Sequence, residues 1–154
     1  MKKVLSATLL SLILAAGAGS LHAQQAGEGL GIGVMVGEPT GLSFKSWTGG
    51  GNAFDLGVAW SVGPYDALHL HADYLWHSDF GDVDEGALML YVGLGGRMIF
   101  ADDDARVGLR VPLGITYLFE GAPLDLFLEV APVMNLVPGT DLDMTGTAGV
   151  RIYL

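Results

Sequence analysis

Apolar side chains recur at every second position along most of this chain, and the alternation predicts eight β-strands. They fall at about 29–37, 41–47, 53–62, 67–77, 87–100, 106–119, 125–137 and 144–154. The breaks between them carry Gly, Pro, Asn and Asp, the residues of turns. In the third strand Phe54, Leu56, Val58, Trp60 and Val62 share one face, opposite Asp55, Gly57, Ala59 and Ser61. In the fourth, Leu68, Leu70, Ala72, Tyr74 and Trp76 oppose His69, His71, Asp73, Leu75 and His77. No helical period intervenes, so the connections are hairpins and the sheet is an antiparallel meander. The longest connection is expected at 78–86.

One face is thus large and apolar, and the other small, polar or charged. Glycine crowds the polar face at positions 31, 33, 57, 93, 95, 114 and 149, as a narrow interior requires. Lys45, Arg97, Arg110 and Arg151 also fall on it, together with Asp55, Asp73 and Glu129. Charges of both signs confined to one face describe an ion-pair network inside a small barrel. The apolar face is then the outer one. A turn centred on Gly50 sets Lys45 opposite Asp55, and a turn near Thr140 sets Glu129 opposite Arg151. Aromatics cluster at two heights, Trp60 and Phe100 at one, and Phe54, Tyr74, Trp76, Tyr117 and Phe119 at the other. Two interfacial girdles would have this distribution.

The N-terminus sharpens the picture. Lys2 and Lys3 precede an apolar run from Val4 to Ala18, and Leu21-His22-Ala23 is a cleavage-like triplet. Residues 1–23 are read as a secretory signal peptide and 24–154 as the barrel. Removing the two lysines takes the formal charge from −10 to −12. Such a chain is not expected to bind nucleic acid. There is no cysteine, which excludes disulfides, thiolate metal sites and lipidation at an N-terminal cysteine.

With these features the chain resembles the small eight-stranded bacterial outer-membrane β-barrels typified by the transmembrane domain of outer-membrane protein A. The sharpest local likeness is the last strand. Thr147, Gly149, Ile152 and Leu154 fit the polar-x-Gly-x-x-apolar-x-apolar pattern read by the barrel-assembly machinery, with Leu154 where Phe is usual. The resemblance implies an all-β, eight-stranded antiparallel up-and-down barrel in the outer membrane. Its partners would be outer-membrane lipid and the assembly machinery, its termini periplasmic and its state monomeric.

Several residues invite sharper chemistry. His69, His71 and His77 share a face with Asp73 and could bind a divalent metal, but hydrogen-bonded lumen fillers are the plainer reading and no metal is expected. His77-Ser78 has the residue types of a hydrolase pair, yet adjacent strand residues point to opposite faces. Asp79, Asp82, Asp84 and Glu85, like Asp102–Asp104, read as solvated connections rather than a calcium loop. Pro112 and Pro132 are unusual inside a sheet. The register sets Pro112 opposite Ala131 and Pro132 opposite Val111. One proline then removes a bond in that strand pair and the other a bond to an outer neighbour, unless both mark local bulges. The outer-membrane lipid A palmitoyltransferase resembles this pairing, but its catalytic loop residues have no match here.

The expected function is a structural or interaction barrel with a lumen plugged by side chains, without catalytic residues or cofactors. A narrow pore for small solutes is the alternative, and a lipid-modifying enzyme a further one.

Overall fold

The computed structural model describes residues 27–61, 66–83 and 85–154. The expected leader with its cleavage triplet, residues 62–65 and Asp84 lie outside the described residues. Nine strands form, β1 (Leu30–Glu38), β2 (Gly41–Gly49), β3 (Asn52–Ser61), β4 (Ala67–Val83), β5 (Gly86–Ala101), β6 (Ala105–Arg110), β7 (Leu113–Phe119), β8 (Leu124–Val137) and β9 (Asp141–Tyr153). All pairings are antiparallel. Each strand pairs with its chain neighbours, apart from β6 and β7, and β9 returns to pair with β1. β6 and β7 lie end to end between β5 and β8, so the nine strands make an eight-membered hydrogen-bonded ring.

Burial follows the alternation, with the apolar face out. Leu56, Trp60, Trp76, Leu94, Leu109, Leu128 and Ile152 are exposed, while Lys45, Asp55, Asp73, Arg110 and Arg151 are buried. An apolar belt of this extent is not tolerated facing water, where contiguous patches rarely exceed a few hundred Å². At one end of the belt Phe54, Tyr74 and Trp76 make successive edge contacts, with ring centroids 4.9 and 5.1 Å apart. Tyr117 and Phe119 do the same at 4.8 Å. Toward the other end Trp60 pairs with Leu68, and Leu68 with Phe100, in one row across three strands.

Two departures from the expected strands have physical causes. The segment 78–86 is not a long loop: β4 continues to Val83 and pairs with β5 down to Gly86, with a bulge between Asp79 and Gly81. Its acidic residues and glycine look like a turn, but a ladder needs only backbone groups, and the apolar run Ala87–Leu90 opposite supplies them. The stave expected at 106–119 is interrupted at Val111–Pro112.

That interruption is a loss of hydrogen bonds without a slip of register. Arg110 lies opposite Val133 and Leu113 opposite Val130, so one register runs through the break. Val111 N–H donates to the Pro132 carbonyl at 3.0 Å, and Gly93 N–H to the Pro112 carbonyl at 2.9 Å. The reciprocal bonds cannot form, because proline has no N–H. Pro132 removes one from the β8 pairing and Pro112 one from the β5 pairing, as the sequence predicts, and neither proline marks a bulge. The bulge on this stave falls instead between Val107 and Gly108. Pro132→Val returns a donor to the Val111 carbonyl from an outward position. It should raise stability by about 0.5–1.5 kcal/mol, the net worth of one hydrogen bond, in denaturant unfolding in detergent.

Candidate functional site

The lumen is the only region where charge and burial coincide among the described residues. All seven charged residues expected there are at most 5 % exposed. They arrange in three tiers.

In the first, Arg151 on β9 donates from Nε to Asp125 Oδ1 at 3.0 Å. From Nη1 it donates to Asp55 Oδ1 at 3.1 Å and to the Ser43 hydroxyl at 3.3 Å. Its guanidinium lies 4.0 Å from the centroid of the Phe127 ring, and the Tyr153 hydroxyl donates to the other Asp125 oxygen at 2.5 Å. In the second tier Arg110 pairs with Asp73 at 3.0 Å and with Glu129, which also accepts from the Tyr91 hydroxyl at 2.9 Å. In the third, Arg97 donates to Asn135 at 2.8 Å and to Asp143 at 3.0 Å, and Asn135 reaches Asp141 at 3.2 Å.

The partners differ from those counted along the sequence. Lys45 does lie opposite Asp55, but its ammonium bonds His77 Nε2 at 2.7 Å and sits over the Trp47 and Tyr91 rings. His77 Nδ1 is within 2.9 Å of the Gly51 carbonyl oxygen, which fixes the imidazole. Asp55 instead serves Arg151 across the lumen. Glu129 does not face Arg151: it lies opposite Thr147, and Arg151 lies opposite Asp125. The turn between β8 and β9 is shorter than the sequence implies, because β9 begins at Asp141. Asp141 and Asp143 then reach Asn135 and Arg97, which extends the ladder and shifts the register by four residues. Asp125 was not anticipated, although it has the same strand parity as Glu129.

The three inward histidines do not converge. His77 holds Lys45, and His69 lies toward the opposite end of the lumen. His71 packs over Gly57 and stands 4.0 Å from Asp73. Asp55, His71 and Asp73 each bring one ligand atom within 4.8 Å of the other two, a grouping a divalent cation could use. Arg151 and Arg110 already hold the two carboxylates, which face each other across β3 and β4. Each arginine also serves a second carboxylate, Asp125 or Glu129, so a dication would have to displace these ion pairs to gain the oxygens. Ser78 is on the outer wall, away from the inward His77.

Inward glycines make room for rings from the next strand. A Cβ on Gly149 would meet the Phe127 ring at 2.5 Å, and one on Gly114 would overlap the Tyr91 ring. Gly149 thus has a packing role apart from any part in an assembly signal. Of that signal, Thr147 is buried in the lumen, Ile152 is outward and Leu154 N–H donates to the Leu30 carbonyl at 2.9 Å.

At the end carrying the β1–β2 turn, the lumen opens into a cavity of about 600 Å³. Ser61, His69, Arg97, Ile99, Arg106, Asp143 and Thr145 line its interior, with Trp60, Met144 and the Gly37–Thr40 turn at the rim.

No family model matches the sequence, and no curated protein matches it either. Among solved structures, the N-terminal β-barrel domain of Pseudomonas aeruginosa OprF superimposes with a TM-score of 0.56. The match covers 80 % of this chain and 93 % of that one, at 14 % identity. This chain has the fold of the OprF barrel. At that identity the likeness concerns architecture: an up-and-down antiparallel barrel of eight staves.

Proposed function

We propose that this protein is an integral barrel of a Gram-negative outer membrane, exported by its leader, with a structural or interaction role rather than a catalytic one. The observation that carries this reading is the inversion of burial, apolar residues outside and paired charges inside. The OprF-like fold supports it, as do strands of 9–17 residues, apart from the two halves of the broken stave. Roughly 9–11 tilted residues cross a bilayer. The three tiers of paired side chains support a plugged lumen, which eight staves leave narrow in any case. A narrow pore is the second reading, favoured by the open cavity at one mouth. Planar-bilayer recordings separate them: the filled lumen predicts no stepwise conductance, and discrete channel openings would favour the pore.

Lipid and the barrel-assembly machinery are the proposed partners, with Thr147, Gly149, Ile152 and Leu154 as the assembly signal. Ile152→Asp places a charge on the outer face near the strand end, where the direct cost is only about 0–1 kcal/mol. A large fall in outer-membrane level is expected, read by fractionation and heat-modifiable gel migration. Unchanged levels would contradict recognition through this residue.

A further inference from the structure

We propose that the cavity at the β1–β2 end of the barrel binds a phosphate group, gripped by Arg97 and Arg106 with His69 beside them. The first ground is a concentration of cationic side chains in a strongly acidic protein. The sequence holds 7 basic residues against 17 acidic ones. Yet two of these basic residues, Arg97 and Arg106, line this one cavity, balanced by Asp143 in its lining and by Asp141 behind Asn135. Asp143 is bonded to Arg97 at 3.0 Å, and Arg106 makes no ion pair within 4 Å among the described residues.

The second ground is an unused donor. Arg97 is 5 % exposed and spends Nη2 on Asn135 and Asp143, while its Nε is buried without a hydrogen-bond partner. A buried donor left unmade is costly, so a shift of the side chain that brings Nε to an acceptor in the cavity is favoured.

The third ground is placement. Ile99 lies opposite both His69 on β4 and Arg106 on β6, and Arg97 is two residues along β5 on the same face. Three consecutive strands therefore bring donors to one wall of an open cavity. Guanidinium forks match the several oxygens of a phosphate better than a lone ammonium would. Ile99 supplies an inward apolar surface, with Trp60 and Met144 at the rim. The rim carboxylates Glu38, Asp102, Asp103 and Asp104 are exposed, so salt screens their repulsion.

Two sources share this chemistry, a small organic phosphate and a phosphorylated lipid headgroup. The proposal does not depend on whether the lumen conducts. The test is calorimetric titration of the refolded barrel in dodecyl maltoside with inorganic phosphate and, separately, with dihexanoyl phosphatidic acid. Wild type should bind at least one of the two saturably, one per barrel, and the responding probe identifies the source. Arg106→Gln, an exposed change that leaves the lumen tiers intact, should weaken that binding about tenfold, the effect of one charge-assisted contact. Arg97→Gln with Arg106→Gln should abolish it. Absence of saturable binding by both probes overturns the proposal, as does equal affinity in wild type and Arg106→Gln.

Discussion

Arg151→Met is expected to be the most destabilising single change in this protein, by about 3–5 kcal/mol or more in denaturant unfolding in detergent. The side chain is buried, and its guanidinium joins Asp125, Asp55 and Ser43 from three other strands. Methionine fills much of the volume, so the loss reports charge rather than a cavity. Two buried carboxylates would remain without their cation, and each must stay ionised at a cost or take up a proton. Adding Asp55→Asn and Asp125→Asn should recover much of the loss, since it removes both carboxylates left without a cation. A neutral Arg151→Met would mean that water reaches this tier.

Glu129→Ala should cost about 1–3 kcal/mol, because it leaves the Tyr91 hydroxyl without an acceptor while Arg110 keeps Asp73 as its counter-charge. The informative quantity is coupling. A double-mutant cycle of Glu129→Leu with Arg110→Met should show an interaction of about 0.5–3 kcal/mol, as contacting residues do. The cycle of Glu129→Leu with Arg151→Met should show much less, because these residues occupy different tiers. The reverse order would restore the pairing counted from the sequence and contradict the observed register.

Much of this architecture was legible because its signal is local. Period-two alternation sorted Lys45, Asp55, Asp73, Arg97, Arg110, Glu129 and Arg151 onto one face, and all seven are buried. It could equally have found Asp125 and Arg106, which share parity with Glu129 and Arg110 but sit near strand ends, where alternation is hardest to read. Register depends on turn length, which composition specifies poorly. The glycine-rich turn at Gly50 set Lys45 opposite Asp55 correctly, while the turn after Pro138 was placed too late, which moved the predicted partner of Arg151 from Asp125 to Glu129. Which carboxylate an arginine selects was beyond the sequence altogether. Asp55 reaches Arg151 across the lumen rather than along the sheet, and Lys45 takes His77 instead of the carboxylate it faces. The missing bonds at Pro112 and Pro132, by contrast, followed from register and the chemistry of proline alone.

The inside-out arrangement is the claim on which the rest depends, and the three tryptophans test it most directly. Trp60 and Trp76 face outward near opposite ends of the barrel, while Trp47 lies inward against Lys45 and His77. Single-tryptophan variants, each retaining one indole with the others changed to Phe, are reconstituted into vesicles containing lipids brominated along the acyl chain. Trp60 and Trp76 should be quenched most strongly by bromines near the headgroups, and Trp47 should be protected from them. Equal lipid quenching of Trp47, or quenching of Trp60 and Trp76 by aqueous iodide but not by brominated lipid, would contradict the membrane-spanning barrel.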